Sequence, residues 1–465
     1  METGLYLNTV SRGRLAQFIT WVTGTLAGSK KGIKDVIVSM IPQVVSLGTG
    51  LFTSILVARG LGPGGLGEYA LVLSVSDMTT TLSDLGIGQT ALRYASRAAG
   101  LRDPDGQMGV LRWAFRRRVS LVILISVIAY AFAPIVASKF WHVSGLGPLI
   151  RLGLLIGAFG ALAHVPSIYF QSLKKFHVNS AVLTGQAIIS FTGILVLAAL
   201  RHWSVEAVIL VSVVTAGVGA SIFLVLVPKQ ALLVPTSYPS SAGQALRSLW
   251  SSPAIPVAAD HDAVETPNEF AFYMLLSSVF VMLTLKADVW LMGFFLDTRS
   301  VGVYNAATRL TVPLAVLLAA MNTALWPRAS SLVLMGDKIA LLRKTLRLCS
   351  MVALAGIAYA IGVPMLAPLL FGARYAKSVS LGQLLCFRYL LAILACPVGV
   401  VGYSVGLVRV YWILNLLQLM AVVAINSLLL PAIGPVASTV ALIVNEVFNV
   451  VGVGFLIWRK VSARA

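Results

Sequence analysis

Twelve stretches of this chain are apolar and long enough to cross a lipid bilayer, and that repetition leaves few folds open. They lie near 36–58, 69–90, 119–137, 149–170, 178–200, 205–227, 270–296, 303–326, 347–370, 381–402, 410–430 and 435–458. A bilayer core takes about 20 helical residues to span. Inside it every backbone N–H and C=O has to be satisfied within the protein, so only helices and closed barrels cross. Barrel strands alternate over ~10 residues, whereas these runs are continuous and rich in Leu, Ala, Val and Gly. Only 11% of the residues are charged, against about 25% in a soluble chain. An all-α polytopic membrane protein is predicted.

The net charge of +19 resembles that of a nucleic-acid-binding chain, but its distribution has a simpler cause. Basic residues of membrane proteins collect on the cytoplasmic side. With the N-terminus inside, the cytoplasmic segments carry 25 Lys and Arg and the opposite loops carry 6. Both termini are therefore expected in the cytoplasm, and nucleic acid is not an expected partner. Residues 1–35 read as a cytoplasmic segment with an amphipathic helix, because Leu15, Phe18, Val22 and Leu26 recur at helical spacing. Residues 459–465 form a cytoplasmic tail.

The stretch 228–269 holds six prolines among serines and alanines and reads as a cytoplasmic linker. It divides six spans, 36–227, from six more, 270–458. The halves resemble each other. Leu61, Gly67 and Tyr69 recur 235 positions later as Leu296, Gly302 and Tyr304, and Ala133-Pro134 recurs 234 later as Ala367-Pro368. Six is even, so both halves insert the same way round. Two lobes related by a pseudo-two-fold axis along the membrane normal follow, with a binding site expected between them near mid-membrane.

The second span carries the least expected residues. Its start, "LGPGGLG" (61–67), reads as a tight outer loop in which glycines supply positive φ. Ser74, Asp77, Thr81, Asp84 and Gln89 then step along one helix face. A carboxylate facing lipid is costly, so this stripe has to face protein or a water-filled cavity. Two readings stand: satisfaction inside the bundle by neighbouring hydroxyls, or the lining of an inter-lobe cavity. Lys286 and Asp288 sit two apart in span seven, on different faces, and make a poor direct pair. Arg309 and Arg388 lie inside spans eight and ten, and Arg93 follows span two. Glu446 gives span twelve a polar patch. The three cysteines form no CxxC and the five histidines show no ligand spacing, so neither a metal nor another cofactor is expected.

Residues 58–96, "ARGLGPGGLGEYALVLSVSDMTTTLSDLGIGQTALRYAS", and 286–313, "KADVWLMGFFLDTRSVGVYNAATRLTVP", resemble the matching regions of Wzx-type polysaccharide flippases. "LWPRASSL" (325–332) and "LLFGARYAKSV" (369–379) also match habitual positions of that family, which belongs to the multidrug/oligosaccharidyl-lipid/polysaccharide exporter superfamily. The resemblance implies two lobes alternating between inward-open and outward-open. It implies an undecaprenyl-diphosphate-linked oligosaccharide as substrate, moved across the inner membrane of a bacterium for O-antigen, capsule or exopolysaccharide assembly. Polymerase or export partners, and H+ or Na+ as coupling ion, are implied in the same way. Arg309 matches a headgroup-binding arginine of the related lipid II flippases. Those relatives also have arginines in the first two spans, where this chain has Asp77 and Asp84. Substrate-site candidates are thus Arg309, Arg388, Lys286, Arg93, Ser74 and Thr81. Coupling-ion or cavity acids are Asp77, Asp84 and Asp288.

Two other functions compete. An ion-coupled multidrug antiporter would favour acidic and aromatic cavity residues over Arg309. A membrane glycan polymerase would need a large outward loop with functional residues, whereas every outward loop here is short. No nucleophile or paired-carboxylate motif appears in an aqueous loop, so a non-enzymatic transporter is expected.

Overall fold

The computed structural model describes residues 30–232, 267–331, 335–404 and 408–462. Most of segment 1–35 and most of linker 228–269 lie outside them. The described residues form thirteen α-helices: α1 Lys30–Leu82, α2 Ile87–Gly100, α3 Pro104–Ile135, α4 Leu146–Ser172, α5 Phe176–Ala199, α6 Val205–Leu226, α7 Pro267–Phe295, α8 Thr298–Leu310, α9 Val312–Ser331, α10 Met335–Phe371, α11 Ser378–Ser404, α12 Val408–Ile433 and α13 Val436–Ser462. Nine helices among the described residues are long and apolar enough to cross a membrane, and ten if the bent pair α8–α9 is one crossing. With the two arms of α1, this is consistent with twelve.

The expected loop at 61–67 is corrected. α1 runs through it as helix and breaks at one residue, Gly62 (φ 69, ψ 179). The remaining glycines of the stretch are helical, and at Gly67 the packing leaves no room for a side chain, whereas Gly64 has open space around it. A Cβ on Gly67 would overlap the Thr298 carbonyl and stand 3.0 Å from the Gly302 nitrogen. A Cβ on Gly302 would overlap the Pro63 carbonyl and stand 3.0 Å from the Gly67 nitrogen. Each glycine touches its own repeat mate, which places the pseudo-two-fold between them.

Further contacts join the lobes at this end, the outer one in the expected orientation. Trp141 Nε1 donates to the Trp290 carbonyl (3.3 Å) and Tyr375 Oη donates to the Ala58 carbonyl (2.7 Å). The Arg59 guanidinium donates to the carbonyls of Leu370 (2.7 Å) and Leu369 (2.5 Å). One continuous core crosses the junction through Leu71, Val72, Met292, Val301 and Tyr304.

Within the N-lobe, α4 lies close against the second arm of α1. Gly153 and Gly157 permit the approach, and Ser76 and Thr80 donate to their carbonyls at 2.7 and 3.1 Å. These two hydroxyls therefore satisfy themselves inside the bundle. In the C-lobe α7 packs on α12, and α11 on α10 and α13.

The helix expected at 303–326 is bent by 55° between α8 and α9. Pro313 has no N–H to give to the Arg309 carbonyl four residues earlier, so the ladder stops there. At the other end Asp297 caps α8, its carboxylate accepting from the Ser300 N–H at 2.8 Å. The Ser300 hydroxyl, with the N–H bond adding to it, holds the Asp297 carboxyl below the usual carboxylate range. Its contribution is present at neutral pH and lost as pH falls through the lowered pKa. Asp297→Ala is expected to cost about 1 kcal/mol, read as a lower unfolding midpoint in detergent near neutral pH and as a smaller difference in acid.

Candidate functional site

A cavity of about 450 Å³ opens at the lobe junction. The first arm of α1 contributes Thr53 and Ser54, and its second arm Tyr69. Gln186 and Ser190 come from α5, Ser212 and Thr215 from α6, and Asn305 and Arg309 from α8. Tyr69 Oη and Ser212 Oγ are 3.1 Å apart, and Gln186 Nε2 donates to the Thr215 carbonyl at 3.3 Å. Among the described residues the lining is thus hydroxyls and amides on apolar walls, with one cation and no carboxylate. Arg309 has no ion-pair partner among the described residues. A guanidinium held this way can bind phosphate oxygens bidentately, and the hydroxyls and amides suit a polyol.

A second crevice, of about 560 Å³, lies between α1 and α7. It is lined by Asp77, Thr80, Thr81, Ser277, Ser278 and Lys286 with apolar neighbours. Lys286 Nζ donates to Asp77 Oδ2 at 2.7 Å across the lobes. Trp290 Nε1 donates to Ser74 Oγ at 2.8 Å. Lys286 therefore pairs with Asp77 and not with Asp288, and Ser74 is buried under Trp290 instead of lining open space.

The remaining candidates lie elsewhere. The polar stripe ends early, because α1 stops at Leu82 and Leu85 (φ 39) and Gly86 (φ 77) turn the chain. Asp84 sits in that turn and pairs with Arg118 of α3, with His164 Nδ1 3.7 Å from the same oxygen. Arg118 also donates to the carbonyls of Ala161 (3.0 Å) and Thr80 (3.2 Å). This cluster is internal to the N-lobe. Asp288 is buried and accepts from Tyr304 Oη (2.5 Å) and the Val289 N–H (2.7 Å). Arg388 pairs with Glu446 at 2.6 Å between α11 and α13 and lies over the Tyr389 ring. Asp84, Asp288 and Arg388 line neither cavity. Arg93 falls on α2, and its side chain lies outside the described residues, as does that of Gln89.

Sequence reasoning missed Gln186, Ser190, Ser212, Thr215 and Asn305 as cavity residues. A lone amide such as Gln186 within an apolar run was the available signal. Tyr69 carried another, its recurrence as Tyr304.

Residues 33–333 match the profile of a family described as polysaccharide biosynthesis protein. No curated protein sequence matches. Among solved structures, the chain is similar to the lipid II flippase MurJ in an inward-closed conformation, with a TM-score of 0.68, 12% identity, and 90% of this chain and 87% of that chain covered. It is similar to an inward-facing multidrug resistance MATE family transporter of the MOP superfamily, with a TM-score of 0.68, 13% identity, and 92% and 98% covered. A variant of the Vibrio cholerae MATE transporter VcmN aligns with a TM-score of 0.57, 14% identity, and 93% and 97% covered. At these identities the likeness is one of fold.

Proposed function

The chain belongs to the polysaccharide biosynthesis protein family, and from that premise we propose that it flips undecaprenyl-diphosphate-linked oligosaccharide repeat units from the inner to the outer leaflet of a bacterial cytoplasmic membrane. The products feed O-antigen, capsule or exopolysaccharide assembly. One observation carries the reading: Arg309, without an ion-pair partner among the described residues, faces a cavity otherwise lined by hydroxyls, amides and apolar side chains. The guanidinium receives the diphosphate. Tyr69, Gln186, Ser212 and Asn305 face the first sugars. The lobes then rock about the Gly67–Gly302 contact, with both chain ends in the cytoplasm. A coupling H+ or Na+ falls to Asp77, the acid open to the second crevice, since Asp84 and Asp288 are engaged within their lobes.

The test is flipping of a labelled undecaprenyl-diphosphate oligosaccharide in proteoliposomes, followed with an impermeant quencher. Wild type is expected to equilibrate the label across the bilayer. Arg309→Gln is expected to weaken apparent affinity about tenfold or more, since a hydrogen bond to a charged group is worth ~1.5–3 kcal/mol. Wild-type rates equal to those of empty liposomes, with the authentic glycan and an ion gradient supplied, would discard the flippase in favour of an ion-coupled drug antiporter.

A further inference from the structure

Lys286 and Asp77 form the one carboxylate–cation pair that crosses between the lobes among the described residues; the Asp84 pairs and Arg388–Glu446 each stay inside a lobe. The three pairs made by Lys or Arg differ in what surrounds them. The Arg118 side chain is 3% exposed, and those of Arg388 and Glu446 are 14% and 8% exposed. Separating either pair strands a buried charge, which is strongly unfavourable. The Asp77 side chain is 59% exposed and that of Lys286 is 26% exposed. Asp77, already more than half exposed, can lose its partner and remain solvated in the open crevice.

The pair is also one rung of two. Asp77 lies three residues after Ser74 on α1, and Lys286 lies four before Trp290 on α7, so the ion pair and the Trp290–Ser74 bond stack on the same helix faces. The other polar contacts across the lobes, at the Gly62 end, run from side chains to backbone carbonyls. An arriving anion gains nothing by competing for donors such as Trp141 and Tyr375. It does gain from Lys286, because a diphosphate brings more negative charge than the single carboxylate it displaces.

We propose that Lys286, in the crevice separate from the Arg309 cavity, is a second diphosphate-binding residue masked by Asp77, so that an anionic headgroup entering the crevice takes Lys286 from Asp77 and unlocks the middle of the lobe junction. This rests on the flippase reading and adds to it a trigger. Asp77 acts as a built-in competitor: it holds the lobes together until a ligand of higher charge replaces it. Neutral lipid does not release the latch.

The experiment is equilibrium binding of radiolabelled undecaprenyl diphosphate to the full chain in nanodiscs. Asp77→Asn, which removes the competing charge, is expected to bind three- to tenfold more tightly than wild type. Lys286→Gln is expected to bind about tenfold more weakly. The double variant should match Lys286→Gln alone, because the carboxylate acts only through the lysine. Asp77→Ser serves as a second neutral variant if the amide perturbs folding. Undecaprenol, which lacks phosphate, should be indifferent to all of them. Competition by inorganic pyrophosphate with the same gain in Asp77→Asn would assign the site to the diphosphate itself. The gain confined to the lipid-linked form would assign it to the membrane-borne headgroup. Equal or weaker binding in both Asp77 variants, or no loss in Lys286→Gln, overturns the latch. Wild-type flipping with no Asp77 effect sinks the latch alone, whereas absent flipping with the Asp77 effect intact sinks the flippase reading alone.

Discussion

Gly302→Ala is expected to slow transport by about a hundredfold in a protein that still folds. The added methyl would overlap the Pro63 carbonyl and crowd the Gly67 nitrogen. Overpacking ordinarily costs about 1–3 kcal/mol. The upper end applies here because the obstacle is backbone, which has no rotamer to change. A penalty of ~3 kcal/mol on one state lowers its population more than a hundredfold relative to the other. Only the arrangement in which the lobes meet at this end is penalised. The cores confined to one lobe, around Ala91 and Val110 and around Val422 and Ala441, are untouched, so thermal unfolding should move less than transport. Gly67→Ala should behave alike, since its methyl would meet the Thr298 carbonyl. Gly64→Ala is the control: an added Cβ there meets nothing within 4 Å. The proteoliposome assay reads all three. Wild-type rates in Gly302→Ala would mean that the close seam is not visited during transport.

The second large effect falls on stability. Asp84→Ala removes the carboxylate facing a guanidinium that is 3% exposed, and stranding a buried charge costs about 3–5 kcal/mol. The Ala161 and Thr80 carbonyls would still hold Arg118 but would not neutralise it. Unfolding of the purified chain by denaturing detergent measures the loss. Adding Arg118→Met should restore most of it, because the charge then leaves with its partner. A loss below about 1 kcal/mol in Asp84→Ala would show that water reaches the guanidinium.

The helices were legible because a bilayer sets their length, and long apolar runs have few other uses. Their breaks were less so. Glycine propensity in "LGPGGLG" argued for a loop, but the stretch is helical apart from Gly62, and Gly67 needs its missing side chain to pack against α8. The step from Asp77 to Asp84 assumed one helix to residue 90, and positive φ at Leu85 and Gly86 ended it. Arg309 stood out as a charge in an apolar span. Its cavity did not, since Gln186 and Ser212 come from separate spans whose approach no periodicity encodes. The Lys286–Asp77 pair joins residues 209 positions apart, beyond the reach of spacing rules.

A residue that touches its own repeat mate is the mark of an isologous interface, in which the contact of i with j is returned by j with i. Gly67 and Gly302 do this, and Trp141 and Tyr375, 234 positions apart, make matching bonds to Trp290 and Ala58, which are 232 apart. The seam is that of a homodimer written into one chain. Covalent joining releases everything away from the axis from the demand of being duplicated. In the 235-residue register the counterpart of Arg309 is Ser74: one half supplies a cation and the other a hydroxyl capped by indole. A true dimer would present two arginines related by the two-fold, and a ligand could lie in either sense. The fused chain offers one, which gives a polar, directional ligand a single way to lie.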